Sequence, residues 1–296
     1  MSEFHPISLA DKPLFDRALA AEPTQSSSVS FGNVYLWDLY CKRNVFDLGG
    51  RLGVEFLCPN GPFFAYPYGE GDLSNAVEAL RARALSEGRA FSLHGVTAAD
   101  RKKLEAALPG RFSFAEDRDN YDYLYSVESF ASLSGKKLHA KRNFCNRFEA
   151  AGAWRFEELT GSLFDDCRAL LKRWDAEKGG GDTEENRAIE RLFGQWDDFS
   201  MLGGVLYAGE TPVAFTIGET LSPDTFDVHF EKADEAVPGA YPMAARELAR
   251  LLQKKCPDCR YLNREEDMGI PGLRRAKEEW YPLSLLEKYT AVWKED

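Results

Sequence analysis

The chain has 296 residues, of which 44% are hydrophobic, and its formal net charge is −11 at pH 7. At roughly 100 to 200 residues per domain, this length predicts two domains with substantial cores. The acidic balance excludes indiscriminate nucleic-acid binding, because affinity for polyanions comes from clustered Lys and Arg. The first residues lack a basic, apolar leader, and no stretch approaches the roughly 18 apolar residues of a membrane span. We therefore expect a cytoplasmic protein without a transmembrane segment.

Six cysteines are scattered along the sequence. In a reducing compartment this distribution predicts free thiols, most of them buried as small hydrophobic side chains. Cys256 and Cys259 form a single CxxC pair, and no second pair stands at zinc-finger spacing. We therefore expect neither a disulfide framework nor a metal site.

The first half of the chain has the pattern of an α+β domain. Gly-Gly and Asn-Gly turn signals separate three short strands, and amphipathic helices alternate with strands after them. We predict helices over 31–40, 73–86 and 98–107, and strands over 45–48, 53–57, 62–66, 90–93, 112–115 and 121–126.

The pattern starts again after residue 126. We predict helices over 135–150, 163–177 and 242–254, another helix ending near 196, a glycine loop at 179–181, and strands over 154–157, 201–208, 211–220, 226–230, 260–262 and 285–293. This order is typical of a GNAT-like acyltransferase, and the first half matches it more loosely. We therefore predict an α+β (α/β) fold of two tandem GNAT-like domains with mixed sheets flanked by helices. The domains span 1–130 and 131–296, and the second carries the active cleft.

A basic segment stands out in this acidic chain, because residues 136–148 include five Lys or Arg and no Asp or Glu. At helical spacing Leu138, Phe144, Cys145 and Phe148 share an apolar arc. Lys137 and Lys141 fall inside that arc. They either cover the core with their aliphatic stems or point into a cleft to hold a phosphate. The cations predicted to bind a phosphate-bearing donor are Lys136, Lys137, Lys141 and Arg142.

A row of ionisable residues occupies the predicted strand near 226–230. Asp227, His229 and Glu231 alternate with apolar residues, which predicts that all three share one face of the strand. Such a row supplies a general base for an attacking amine or hydroxyl, as acyl transfer requires. The alternative is the solvated face of an antiparallel sheet.

Two further segments are candidates for anion binding. Gly239 and Tyr241 lie in a loop that opens a helix, where free backbone N–H groups bind phosphate or stabilise an oxyanion. The loop lacks the glycine-spaced Arg/Gln-rich pattern usual in GNAT proteins that bind coenzyme A. In the charged segment 263–277, Arg264, Arg274 and Lys277 either line the rim of an active site or form ion pairs within a tight loop.

The sequence resembles a known bacterial family in three places: Tyr121 to Tyr125, Leu133 to Asn143, and Asn263 to Lys277 with its pattern NREEDMGIPGLRRAK. This family is a stand-alone group similar to the C-terminal, catalytic region of phosphatidylglycerol lysyltransferases. The resemblance implies two tandem GNAT-like domains, with aminoacyl-tRNA as donor and a lipid headgroup as acceptor. The multi-span membrane region of the lipid enzymes is not present in this sequence, so a peptide or small-molecule acceptor is as plausible as a lipid headgroup.

We therefore predict an acyl or aminoacyl transferase that contacts the acceptor end of tRNA and acts on an amine or hydroxyl. The cations of the basic and charged segments and the Gly239 loop hold the donor, and Asp227, His229 or Glu231 serves as base. Two alternatives remain: an N-acetyltransferase that uses acetyl-coenzyme A, and a non-catalytic module that binds RNA or a nucleotide on the same fold. The sequence carries no signal for an oligomeric state.

Overall fold

The computed structural model describes residues 4–178 and 183–295, and the glycine loop predicted at 179–181 lies outside them. The chain forms two compact units. The first comprises residues up to Asp122 together with Glu266–Pro271 and the segment from Leu285, and the second comprises Tyr123–Glu265 and Gly272–Ser284. The sequence pattern predicts one boundary, after residue 130. In the structure, the chain after Glu265 passes between the units: Glu266–Pro271 and the segment from Leu285 belong to the first, and Gly272–Ser284 belongs to the second.

The elements alternate as predicted for an α+β fold. Those before residue 122 are β1 (His5–Pro6), α1 (Lys12–Ala21), α2 (Phe31–Leu36), β2 (Lys42–Asp47), β3 (Leu52–Cys58), β4 (Gly61–Ala65), α3 (Leu73–Ser86), β5 (Ser92–Thr97), α4 (Ala98–Ala107) and β6 (Phe112–Glu116). Those that follow are β7 (Asp122–Ser126), α5 (Val127–Ser132), α6 (His139–Ala150), β8 (Trp154–Glu158), α7 (Phe164–Lys178), α8 (Glu184–Gly194), β9 (Met201–Ala208), β10 (Thr211–Ser222), β11 (Thr225–Ala233), α9 (Ala240–Lys255), β12 (Tyr261–Asn263), α10 (Pro271–Glu278), β13 (Ser284–Leu286) and β14 (Lys288–Trp293).

The first sheet has seven strands in the order β1-β2-β3-β4-β5-β14-β6. Strands β2, β3 and β4 form the predicted antiparallel meander, and β4 pairs with β5 in parallel. Helix α3 begins where predicted, because the Asp72 side chain accepts a hydrogen bond from the backbone N–H of Asn75 and caps the helix. Val77 and Leu80, on its apolar face, are fully buried.

The second sheet also has seven strands, in the order β13-β7-β12-β11-β10-β9-β8. Strands β9, β10 and β11 form the predicted antiparallel meander, while β12 pairs with β11 in parallel over three residues. Helix α9 packs on this sheet through buried side chains such as Met243, Leu248 and Leu252. Both sheets are therefore mixed and flanked by helices, as predicted.

The carboxyl-terminal region departs from the prediction. A single strand over 285–293 was expected to close the second unit, but β13 and β14 belong to different sheets, and β14 pairs with β5 and β6 of the first. Helices α5 and α10 were not predicted, because each is short, with six and eight residues, and so gives a weak periodic signal. The partner of a terminal strand depends on tertiary contacts, which local periodicity does not encode.

Cys41 and Cys58 are joined by a disulfide, so the prediction of six free thiols was wrong. Cys41 precedes β2 and Cys58 ends β3, and the adjacent register pair Lys42↔Leu57 makes the two cysteines cross-strand neighbours. The other four cysteines are free thiols. Among the residues described, no helix combines the length and apolar character needed to cross a bilayer.

Candidate active site

Strand β11 contains a β-bulge in the middle of the predicted row of ionisable residues. Its register with β10 includes the pairs Glu219↔Asp227 and Thr216↔Glu231, with a shift between them that leaves His229 as the extra residue. Because directly opposed residues project from the same face, Asp227 and Glu231 lie on opposite faces of the sheet. The prediction that all three residues share one face was wrong, since simple alternation fails at a bulge.

His229 lies on the Asp227 face, in a buried group of carboxylates. Its Nε2 is 3.1 Å from Glu219 Oε1, its Nδ1 is 3.1 Å from Glu265 Oε1, and the same Nδ1 is 3.8 Å from Asp227 Oδ2. The His229 side chain is 1% exposed and Asp227 is fully buried. These residues are therefore not the solvated face of a sheet.

The surrounding charges decide the protonation of His229. Burial by itself lowers the pKa of the imidazole, but the Coulomb attraction of Asp227 and the hydrogen bonds to Glu219 and Glu265 outweigh it and hold the pKa well above its ordinary value. His229 is therefore an imidazolium that donates to two carboxylates. In this state it positions Glu219 and Glu265 and has no lone pair with which to accept a proton, which favours a carboxylate as the base.

The same side chains have the spacing of a metal site, although the sequence predicted none. Ligand atoms of Asp227, His229 and Glu265 lie within 4.8 Å of one another. A metal ion would need His229 as a neutral imidazole, in competition with the protonated form that donates to two carboxylates. The expectation that the chain holds no metal stays a prediction.

Glu231 forms a second site on the opposite face of β11. Its carboxylate accepts a hydrogen bond from Nη2 of Arg264, the residue that follows β12. The Arg264 guanidinium carbon also lies 5.5 to 5.8 Å from the centres of three aromatic rings, those of Tyr125, Phe130 and Trp280. The Glu231 side chain is 14% exposed, so it is the more accessible of the two candidate carboxylates on β11.

One of the two predicted phosphate-binding residues of α10, Lys277, contacts this second site. Lys277 is buried, and its ammonium donates a hydrogen bond to the backbone carbonyl of Arg264. The Tyr125 hydroxyl donates to the Lys277 carbonyl at 2.8 Å. Arg274 lies one turn earlier on the same helix and is half-buried. Lys277 thus supports the backbone that carries Arg264, and its proposed contact with a donor phosphate stays a prediction.

The cations of the basic segment differ in exposure and partners. Lys136 and Lys137 are exposed in the turn before α6, and neither forms an ion pair with any residue that the structure describes, although Lys137 Nζ lies 5.5 Å from the centre of the Tyr281 ring. Lys141 lies 5.1 Å from the Trp280 ring and 3.5 Å from Glu279, and Arg142 donates to the carbonyls of Leu133 and Gly135. Phe144 was expected in the apolar arc but is 43% exposed. The buried face of α6 is therefore narrower than predicted.

Gly239 has a structural role at the start of α9. Its φ of 94° is left-handed, and a Cβ added there would lie 2.7 Å from the Phe144 carbonyl oxygen. The N–H of Ala240 donates to the Val237 carbonyl, and Pro242 has no N–H. Of these first residues of α9, Tyr241 therefore has the backbone N–H that could make the predicted oxyanion contact. The half-buried Tyr241 phenol has a raised pKa, caused by burial and by the charge of Glu231.

We expect Gly239→Ala to lower the free energy of unfolding by about 1 to 3 kcal/mol, the cost of holding a side chain in a left-handed conformation. Gly272→Ala is the matched control, because a Cβ at Gly272 meets nothing within 4 Å. Denaturant titration of both variants measures the difference. Equal stability of the two would show that Gly239 is not needed for packing against α6.

Sequence reasoning missed three polar residues of these sites. Glu219 and Thr216 lie on the buried strand β10, where an interrupted apolar run was the available signal. Glu265 lies inside the charged segment 263–277, but its neighbours carry similar charge and nothing local distinguishes it. The two sites become visible once the register of β10, β11 and β12 is known.

Comparisons with known proteins agree with this architecture. The family model described as phosphatidylglycerol lysyltransferase, C-terminal, matches residues 23–292. A conserved protein of unknown function from Bacteroides thetaiotaomicron VPI-5482 is 34% identical, with a TM-score of 0.90 over 99% of this chain and 100% of that one. No curated protein matches the chain.

Two more distant structures show the fold alone. The C-terminal domain of a protein assigned as a lysylphosphatidylglycerol synthetase from Agrobacterium fabrum has a TM-score of 0.70 at 15% identity, over 97% of this chain and 93% of that one. A tandem GNAT protein from the clavulanic acid biosynthesis pathway has a TM-score of 0.50 at 11% identity, over 99% of both chains. The chain therefore belongs to the phosphatidylglycerol lysyltransferase C-terminal family and folds as two tandem GNAT-like units.

Proposed function

We propose that this protein transfers an aminoacyl group from aminoacyl-tRNA to an amine or hydroxyl acceptor. Family and fold support an acyl or aminoacyl transferase of the GNAT-like type. The finer assignment rests on one observation: Lys136 and Lys137 project from an acid-free segment of an acidic protein without an ion-pair partner among the described residues. Exposed cations without a neighbouring carboxylate suit the phosphates of an RNA-borne donor.

The second unit supplies the groups for the chemical step. Glu231 is the proposed base, because His229 already carries two ring protons and Asp227 is fully buried. The acceptor nitrogen or oxygen attacks the carbonyl carbon of the aminoacyl ester, and Glu231 takes the proton that the acceptor loses. The bond from the carbonyl carbon to the ribose oxygen then breaks, and that oxygen receives the proton. The acceptor is a small molecule, a peptide or a lipid headgroup.

Removal of the two exposed lysines tests the donor. We expect Lys136→Ala with Lys137→Ala to weaken binding of deacylated tRNA about 10-fold at low salt. The slope of log affinity against log salt should fall by roughly 0.7 to 0.9 for each phosphate that the variant no longer neutralises. Fluorescence anisotropy over a salt series measures both quantities.

The double substitution Lys172→Ala with Lys254→Ala is the matched control, since both lysines are exposed in the same unit but lie outside the basic segment. Unchanged tRNA affinity in the Lys136 and Lys137 variant would exclude this donor assignment. Saturable, salt-sensitive binding of RNA by the wild-type protein without aminoacyl transfer to any acceptor would favour the non-catalytic module instead.

A further inference from the structure

Two buried polar atoms lie on the same face of the sheet as Glu231 without a partner of their own. Thr216 is completely buried, yet its Oγ1 makes no hydrogen bond to any residue in 4–178 or 183–295. The Arg264 Nη1 is likewise buried and unpartnered within those ranges. A buried polar group left unsatisfied costs roughly 1 to 3 kcal/mol, so two of them beside one carboxylate require an explanation.

The positions of both atoms follow from the backbone. Thr216 on β10 is the register partner of Glu231 on β11, so its hydroxyl projects from the same face as the Glu231 carboxylate. Arg264 reaches Glu231 through Nη2, and its planar guanidinium carries Nη1 beside that contact. The hydroxyl of Thr216 on β10 and a guanidinium N–H of Arg264, the residue after β12, are thus both neighbours of the proposed base on β11.

These two donors do not provide the free positive charge that a phosphate-binding site uses. Arg264 is already neutralised by Glu231 and packed among three aromatic rings, so it offers a directed hydrogen bond rather than a free positive charge. A ligand group that satisfies both donors presents an oxygen acceptor next to the atom that Glu231 deprotonates. The carbonyl of an acyl group, attacked by an acceptor amine or hydroxyl, has this arrangement.

We propose that Thr216 Oγ1 and Arg264 Nη1 bind the carbonyl oxygen of the transferred acyl group. This assignment rests on the proposed function. As the acceptor forms its bond to the carbonyl carbon, the π electrons move to that oxygen and both donors stabilise the oxyanion. When the bond to the ribose oxygen breaks, the electrons return to re-form the carbonyl. Arg264 is then a ligand of the acyl group rather than of the donor phosphate, and the two side chains take the role predicted for the amide of Tyr241.

Binding of small probes tests this site without turnover. The amide of each standard amino acid keeps the carbonyl, and the matching amino alcohol lacks it. We expect at least one amide to bind more than 10-fold tighter than its alcohol in isothermal titration calorimetry, and Thr216→Val to abolish that preference. Equal affinity of every amide and alcohol pair would overturn the proposal.

Kinetics of transfer from aminoacyl-tRNA gives the second readout. Thr216→Val should lower kcat about 10²-fold while KM for tRNA stays constant, and Thr216→Ser should recover most of the loss. Its thermal stability should be equal or higher, because the lost hydroxyl has no partner among the described residues. Thr220→Val, at an exposed position of β10, is the control. Arg264→Lys, which retains a cation for Glu231 but removes Nη1, should lower kcat to a similar extent.

The two failures are distinguishable. Transfer activity that is unaffected by Thr216→Val and Arg264→Lys would overturn the carbonyl site and leave the proposed function intact. No transfer by the wild-type protein, combined with an amide preference that Thr216→Val abolishes, would overturn aminoacyl-tRNA as donor and retain the carbonyl site.

Discussion

Replacement of Glu231 by glutamine is expected to lower kcat/KM for acyl transfer by about 10²- to 10⁴-fold, the usual contribution of a general base. Glutamine retains the size of the side chain and a carbonyl acceptor for Arg264, but it does not take a proton at neutral pH. The measurement is the steady-state rate of transfer from aminoacyl-tRNA. Glu231→Asp keeps the carboxylate and should recover part of the activity.

Loss of folding must be separated from loss of chemistry in this variant, because Glu231→Gln leaves the buried charge of Arg264 without its carboxylate. The tRNA affinity is the internal control: it depends on Lys136 and Lys137 in the proposed function and should stay at the wild-type value. Full activity of Glu231→Gln would refute the assignment of the base and transfer the role to Asp227, which Asp227→Asn then tests.

The largest effect on stability is expected at Lys288. Its ammonium lies 2.6 Å from Asp122 Oδ1 and donates to Ser28 Oγ at 2.8 Å, and the two charged side chains are 1% and 0% exposed. Lys288→Met fills similar space but leaves a buried carboxylate without its cation. We expect the free energy of unfolding to fall by about 3 to 5 kcal/mol in a denaturant titration.

Lys42→Met is the matched control, because Lys42 also pairs with an aspartate in the first unit but is 67% exposed. An exposed pair contributes at most about 1 kcal/mol, so this variant should remain close to the wild-type stability. The double variant Lys288→Met with Asp122→Asn should be more stable than Lys288→Met alone, since it removes the uncompensated charge. Similar losses for Lys42→Met and Lys288→Met would contradict the importance of burial.

The two faces of β11 explain why neighbouring ionisable residues have different properties. On one face His229 is held as an imidazolium between carboxylates. On the other, Glu231 contacts Arg264 beside Thr216. A single inserted residue separates a buried charged group from the proposed catalytic one, so mutations at Asp227 and Glu231 should not be read as changes in one shared site.

Much of the fold was determined by local features of the sequence. Helix α3 was predicted over 73–86 and is found there, because Asp72 caps it and its apolar residues recur at helical spacing. The meander of β9, β10 and β11 followed from alternation and a Gly-containing turn, and three sequence motifs identified the family. The types of residue in the candidate site were also readable, since Asp227, His229 and Glu231 alternate with apolar residues and Arg264 begins the charged segment 263–277.

Only the tertiary structure decided which of these residues meet. The bulge at His229 shifts the register of β11 by one residue, and a shift of one residue exchanges the faces of a strand. The pairing of β14 with the first sheet likewise joins residues far apart in sequence. Both outcomes depend on the packing energy of non-local contacts. Periodicity, caps and turns report the conformation of a segment, while the choice of its partner is made by the whole fold.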